Sequence, residues 1–261
     1  MRKINKFCSL LFILGFFILG EIASAQVSPL LTQVSVIDSL LGGDYDGWMT
    51  LKELRSYGNF GLGTIDRIDG ELIILDGVFY VWKSNGTIKV PSAETTVPLA
   101  SIVNFVPEIK VPLPENLDFD DVSELIRQKI PNENIPVAIH IQGTFTNIRT
   151  RSAYCQEKPY RPLAEVMKTQ PEFELGTVEG DIVGFYLPGF VKGINVPGVH
   201  FHFISSDRQQ GGHLMTFQTK SGTISFCPIY QFQILLPQTD NNIDLNKDRS
   251  AELYQVEGGN H

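Results

Sequence analysis

Short runs of β-branched, aliphatic and aromatic residues recur along this chain, each closed by Gly, Pro, Asn or Asp. Examples are ELIILDGVFYVWK (71–83), TIKV (87–90), IPVAIHIQGTFTNIRT (135–150), GDIVGFYLP (180–188), GVHFHFIS (198–205), HLMTFQT (213–219), GTISFCPI (222–229) and YQFQILLP (230–237). Runs of this length and composition read as strands, and LDG (75–77) and SNG (84–86) read as hairpin turns. Helical signals are fewer. SLLGG (39–43) ends a short apolar run, and TLKELRSYG (50–58) has Thr50 to cap it, Glu53 at the third helical position and Gly58 to stop it. DVSELIRQK (121–129) and RPLAEVMKT (161–169) are two further short helices, while PEIKVPLP (107–114) and PYRP (159–162) read as connections. No repeat of fixed period is present. The expected fold class is therefore α+β, predominantly β, with two sheet-based, barrel-like domains and a few short helices. The expected division is a mixed α/β sheet domain over residues 26–175 and a β domain over 176–261 that carries most of the histidines.

At 261 residues the chain is long enough for one large core or two modest ones, and 43% hydrophobic against 19% charged residues is a globular balance. Its first 25 residues are read apart. Arg2, Lys3 and Lys6 precede the uncharged run CSLLFILGFFILG (8–20), and Ala23-Ser24-Ala25 follows as a small-x-small cleavage pattern. This reads as a signal peptide over residues 1–25, since the run is short for spanning a hydrocarbon core about 30 Å thick. The expectation is an exported protein, periplasmic or secreted, with no stable membrane insertion after cleavage. The formal charge of the whole chain is -8, and cleavage would remove Arg2, Lys3, Lys6 and Glu21, leaving the remainder more acidic still. Such a surface repels nucleic acid and anionic membranes, so an anionic substrate needs a local cationic site. Two cysteines remain, Cys155 and Cys227, and the sequence leaves open whether they are bonded or are two buried thiols.

The densest chemistry lies in GVHFHFISSDRQQGGHL (198–214). Residues i and i+2 of a strand face one side, so His200 and His202 project together while Phe201 and Phe203 face away. His213 opens the next strand run, and a hairpin through the intervening turn brings it back beside the pair. Three neutral imidazoles with an open fourth position form the pattern of a catalytic zinc site. Spacing alone leaves a metal and ordinary sheet histidines equally open. Asp207 reads as a turn residue, His140 as a sheet histidine inside an apolar run, and His261 as a terminal residue. The acidic patterns at Asp44, Asp46 and Gly47 and at Asp244, Asn246 and Asp248 lack the sixth-position glycine and twelfth-position acid of a calcium loop, so they read as turns.

Several segments, in order along the chain, resemble the alpha-acetolactate decarboxylases. These are GNFGLGTIDRIDGELIILDG (58–77), RTRSAYCQEKPYRPL (149–163), QPEFE (170–174), GFYLPGFVKGINVPGVHFHFISSDRQQGGHL (184–214) and AELYQVE (251–257). The resemblance implies zinc held by His200, His202 and His213. It also implies a polar cluster of Thr64, Glu71, Arg151 and a glutamate of the tail, taken as Glu257 with Glu252 as its rival. The implied reaction is decarboxylation of 2-acetolactate, a small 2-hydroxy-3-keto acid, to one enantiomer of acetoin and CO2. In that reaction zinc polarises the ketone and hydroxyl and stabilises an enediolate. Thr64 and Arg151 are then expected at the substrate, with Arg151 acting electrostatically because a guanidinium is hard to deprotonate. Glu71 and the tail glutamate are expected to move the proton. Arg149 lies on the same strand side, but Arg151 holds the matching position in TRS. The resemblance further implies a homodimer.

Two other readings use the same residues. A cupin-like metal oxygenase also carries His-x-His on a strand, but it expects a glutamate where this chain has Ser206 and Asp207. A non-enzymatic, exported β-rich module could hold a structural metal, but such sites are normally closed by four protein ligands and only three histidines converge in the sequence.

Overall fold

The computed structural model describes residues 29–238 and 243–257; the expected signal peptide at 1–25 and His261 lie outside the described residues. Strands follow the turn punctuation closely: β1 (Leu30–Val34), β2 (Met49–Thr50), β3 (Phe60–Thr64), β4 (Glu71–Leu75), β5 (Val78–Trp82), β6 (Ile88–Lys89), β7 (Thr96–Val97), β8 (Leu99–Val103), β9 (Ile109–Pro112), β10 (Val137–Arg151), β11 (Glu172–Leu187), β12 (Gly198–Ser205), β13 (Gly211–Pro228) and β14 (Gln231–Leu235). The helices are α1 (Ile37–Gly42), α2 (Leu51–Leu54), α3 (Phe119–Lys129), α4 (Leu163–Val166) and α5 (Ser250–Glu257).

Helix boundaries have local causes. Thr50 caps α2 through a capping box with Glu53, and Asp118 caps α3 in the same way with Asp121. Gly43, at φ 102°, ends α1 in the left-handed conformation that costs glycine least. RPLAEVMKT yields one turn of α-helix in α4 and then a 3₁₀ turn over Met167–Thr169. PEIKVPLP is not only a connection: it contains β9, a short strand at a sheet edge, where the missing N–H of Pro112 breaks no ladder.

Two sheets organise the molecule. One has seven strands in the order β14-β1-β8-β3-β4-β5-β6; β1 and β14 are parallel and the other pairs antiparallel. The other runs β10-β11-β12-β13-β9, and β10 also pairs with β13, which closes four strands into a barrel. HLMTFQT and GTISFCPI join into the single strand β13. At that junction Gly222 lies opposite Gly143, and a Cβ on Gly222 would stand 2.3 Å from the Gln142 carbonyl, so only glycine lets the barrel curve there. Sheet membership crosses residue 175: β10 precedes it yet lies in the barrel, whereas β14 follows it yet joins the seven-stranded sheet.

The alternation in β12 sets the architecture. Phe201 and Phe203 turn into the barrel, where Phe145, Phe217 and Phe226 meet them and α3 packs with Phe119, Val122 and Ile126. The outer face of β11 and β12 packs Phe185 and Ile204 against Phe60, Leu62 and Ile73 of the seven-stranded sheet. Two sheets thus bury one shared face, and the histidines lie on it. Cys155 and Cys227 are both free thiols, the second fully buried. Among the described residues no helix is long and apolar enough to cross a membrane.

Candidate metal centre and active site

His202 and His213 are direct register partners across the β12–β13 ladder, and His200 lies two residues along β12 on the same face. The three rings approach one another at centroid distances of 4.9–5.4 Å. One nitrogen from each lies within 4.8 Å of the other two. His202 Nδ1 is 2.9 Å from the Leu72 carbonyl, which makes Nδ1 the protonated nitrogen and leaves Nε2 to face the cluster. His200 Nε2 and His213 Nδ1 stand 3.2 Å apart, so each ring presents one nitrogen to the same point. Burial drives the pKa of His202 down to about 3, with the neighbouring His200 adding to the effect. His202 is therefore held as a neutral imidazole, the form in which a histidine can ligate a cation. The donor set fits a divalent metal of the imidazole-preferring kind, with three protein ligands and room for further ones.

The polar cluster around these rings comes from four separate elements. Thr64 ends β3 and Glu71 begins β4, and the two are register partners. The Thr64 hydroxyl donates to the Gly70 carbonyl at 2.8 Å, which pins the turn between the two strands. Glu71 is buried with an oxygen 3.5 Å from His202 Nε2. Burial pushes its pKa up to about 8, and Glu257 pushes the same way, against Arg151 and the Ala153 N–H. Glu71 and His202 are thus each driven towards the neutral form, so their approach is not an ion pair. A divalent cation among the imidazoles would pull Glu71 back towards the carboxylate.

Arg151 ends β10 and is paired in register with His213. The residue is 5% exposed. It donates to the Val256 carbonyl and, at 3.1 Å, to Glu257, while the same nitrogen lies 3.0 Å from His213 Nε2. Arg151 Nε is buried with no hydrogen-bond partner among the described residues. Helix α5 delivers Glu257, whose second oxygen lies 3.3 Å from His213 Nε2. Arg151 can only donate, so His213 Nε2 accepts from it in this structure; a metal on Nδ1 would put the proton on Nε2 and turn that nitrogen from Arg151 to the Glu257 carboxylate.

The structure brings Thr64, Glu71, Arg151, His200, His202, His213 and Glu257 together around one cavity of about 640 Å³, counting space open to solvent. That size suits a small-molecule site. Glu252 does not reach it and pairs instead with Lys247 and Arg249. Arg149 lies 3.8 Å from Glu172, away from the cavity. Asp207 caps the β12–β13 turn through Ser205 and Gln209, and His140 bonds Asp181 at 2.9 Å. Sequence reasoning missed the apolar wall made by Leu40, Leu62, Leu99, Leu163 and Val196, and the polar residues Ser101 and Asn195 within it. It also missed the backbone groups of Leu72, Ala153 and Val256. Backbone contacts leave no residue-type signal, and Asn195, though five residues before His200, has no spacing that marks it.

Fold and site together define a β-rich enzyme whose polar groups converge on a three-histidine cluster. The alpha-acetolactate decarboxylase family profile matches residues 31–246. The chain is 38% identical over 230 residues to an alpha-acetolactate decarboxylase of Bacillus subtilis, covering 87% of this chain and 90% of that protein. It is 35% identical over 237 residues to one of Brevibacillus brevis, covering 90% and 83%. The crystal structure of the Bacillus subtilis alpha-acetolactate decarboxylase superposes with a TM-score of 0.85 at 36% identity, over 87% of this chain and 99% of that one. The chain belongs to the alpha-acetolactate decarboxylase family.

Proposed function

We propose that this protein is a zinc enzyme that decarboxylates 2-acetolactate to acetoin and CO2. The observation that carries the reading is the meeting of the three imidazoles, a buried carboxyl and a buried guanidinium in one cavity of a family member. His200, His202 and His213 would hold the ion. Bound zinc would supply a Lewis acid for the oxygens of the 2-hydroxy-3-keto acid, lowering the cost of the negative charge that develops when the carboxylate leaves.

The chain's own residues do the rest. Arg151 sets its positive charge against the anionic substrate from the cavity wall, and its bonds to Val256 and Glu257 hold the guanidinium plane rigid. Losing CO2 leaves an electron pair on the former C2, drawn towards the adjacent ketone. One proton must then be added at carbon, so the balance is one substrate anion and one proton in, acetoin and CO2 out. We assign delivery of that proton to Glu71, whose carboxyl lines the cavity 3.5 Å from His202; burial raises its hold on a proton against the pull of the ion. Glu257 steadies both His213 and Arg151. The apolar wall receives the methyl groups and excludes water from the developing charge. We further propose that the chain is exported through residues 1–25, on the basic, apolar and small-residue pattern of that segment.

The test is to give purified, zinc-loaded protein 2-acetolactate and follow acetoin and CO2. Stoichiometric acetoin, abolished by a chelator and restored by zinc, is the expected result. Absence of acetoin from metal-replete protein overturns the reading.

A further inference from the structure

The turn between β3 and β4 holds strained backbone that the chemistry above does not use. Arg67 and Ile68 both have positive φ, 59° and 47°. That region is uncommon outside glycine, and a β-branched residue there is a genuine outlier that persists only where its surroundings impose it. Ile68 adopts it while 2% exposed. The surroundings are on hand. The Gly47 N–H donates to the Asp66 carboxylate at 2.8 Å, the Arg67 N–H to the Tyr45 carbonyl at 2.7 Å, and the Gln156 N–H to the Arg67 carbonyl at 3.0 Å. The Gly70 N–H closes on the Ile68 carbonyl at 2.8 Å, and the Lys83 ammonium donates to the Asp69 carbonyl at the same distance. Residues far apart in sequence thus clamp this one turn.

The clamp holds a branched side chain at the cavity. Ile68 lines it and belongs to the same apolar cluster as Ala153 and Val256, which line it too. Those neighbours locate it beside the reacting groups: the Ala153 N–H bonds Glu71, and the Val256 carbonyl takes Arg151 NH1. Ile68 also stands three residues before Glu71, so their Cα atoms are no more than about 10 Å apart. Thr64 and Glu71 are register partners, and the Thr64 hydroxyl bonds the Gly70 carbonyl between them. Thr64, Ile68 and Glu71 are therefore three cavity-lining residues of one pinned hairpin, and Ile68 is the apolar one.

We propose that Ile68 is a specificity-determining residue, the rigid wall against which the alkyl group on C2 of the 2-hydroxy-3-keto acid packs. This inference rests on the decarboxylase reading of the cavity. Glu71 is assigned the proton for C2, so that carbon comes within reach of its carboxyl. The alkyl group is bonded to the same carbon and meets the wall beside Glu71, where Ile68 supplies the apolar surface. A wall selects by size only if it does not yield. Here the side chain is stiff at χ1 and its backbone is tethered on both sides. One extra methylene against such a wall is worth roughly 10- to 200-fold in rate discrimination.

The test compares zinc-loaded Ile68→Ala with the wild type on 2-acetolactate and two homologues. One carries ethyl in place of methyl on C2, and the other carries ethyl in place of methyl on the ketone. Expected is a rise of roughly tenfold in kcat/KM for the C2-ethyl acid relative to 2-acetolactate, with the ratio for the ketone-ethyl acid unchanged. An unchanged C2-ethyl ratio, or an equal rise for both homologues, overturns the proposal. Should Ile68→Ala not fold, Ile68→Val keeps the β-branch and removes one methylene; it is expected to raise the C2-ethyl ratio roughly threefold, and no rise there overturns the proposal. Wild-type protein that makes no acetoin removes the decarboxylase reading and this one with it; an active wild type whose variants keep its substrate ratios removes only the role of Ile68.

Discussion

Glu71 is a buried carboxyl whose oxygen approaches a buried imidazole with both groups biased towards neutrality. Burial raises the affinity of Glu71 for a proton and the ion lowers it again, so the carboxyl can both take up and release a proton near neutral pH, which a surface glutamate does poorly there. Replacing it with glutamine preserves shape and burial but removes the proton. Glu71→Gln is expected to lower kcat by about 10²- to 10⁴-fold while zinc content and the unfolding midpoint hold. A variant that keeps wild-type kcat assigns the proton to another group. Residue-level legibility was uneven. His200 and His202 could be read as a same-face pair from strand alternation alone. Glu71, Arg151 and Thr64 could not, because an isolated polar residue in sequence reads as solvated. Only the resemblance selected them, and the cavity is what gathers them.

At the scale of elements, the hairpin β12–β13 does most of the positioning, and its glycine pair lets it pack closely on β10 and β5. Gly212 sits at φ 128°, and a Cβ there would meet the Arg151 carbonyl and Trp82 Cδ1 at 2.8 Å. Both neighbours are fixed, one as backbone of β10 and one as a buried ring. Gly212→Ala is therefore expected to push β13 off β10, separating His213 from Arg151 and costing about 1–3 kcal/mol. The urea midpoint and zinc content should fall together; an unchanged zinc affinity would show that the hairpin tolerates the shift. The same hairpin was legible because periodicity and glycines are local signals. Helix α5 was not, since AELYQVE has a weak apolar stripe and its docking rests on Val256 and Leu253 packing against α1 and α4. The parallel β1–β14 pairing was also hidden, because it joins residues about 200 positions apart with no turn between them to announce it.

Across the whole molecule, two sheets bury one face around the histidines, so folding, metal binding and protonation are coupled. In metal-free protein His202 has its pKa depressed from 6.5 to about 3, so the unfolded chain binds more protons than the folded one between those values. Stability from this residue rises with pH across that window and is complete above about 6.5. Glu71, raised from 4.5 to about 8, acts in reverse: the folded state holds the extra proton, and stability falls as pH rises through its window. Between pH 4.5 and 6.5 the two oppose each other, so the metal-free protein should be most stable there and weaken on both sides. Zinc changes the balance. Its charge draws Glu71 towards the carboxylate and removes the alkaline loss, while protons compete with it for three imidazoles and steepen the acid loss. The unfolding temperature, measured from pH 4 to 9 with and without zinc, should therefore show its maximum move to higher pH on metal loading. Superimposable profiles would mean that the buried histidines and Glu71 do not share a site with the ion.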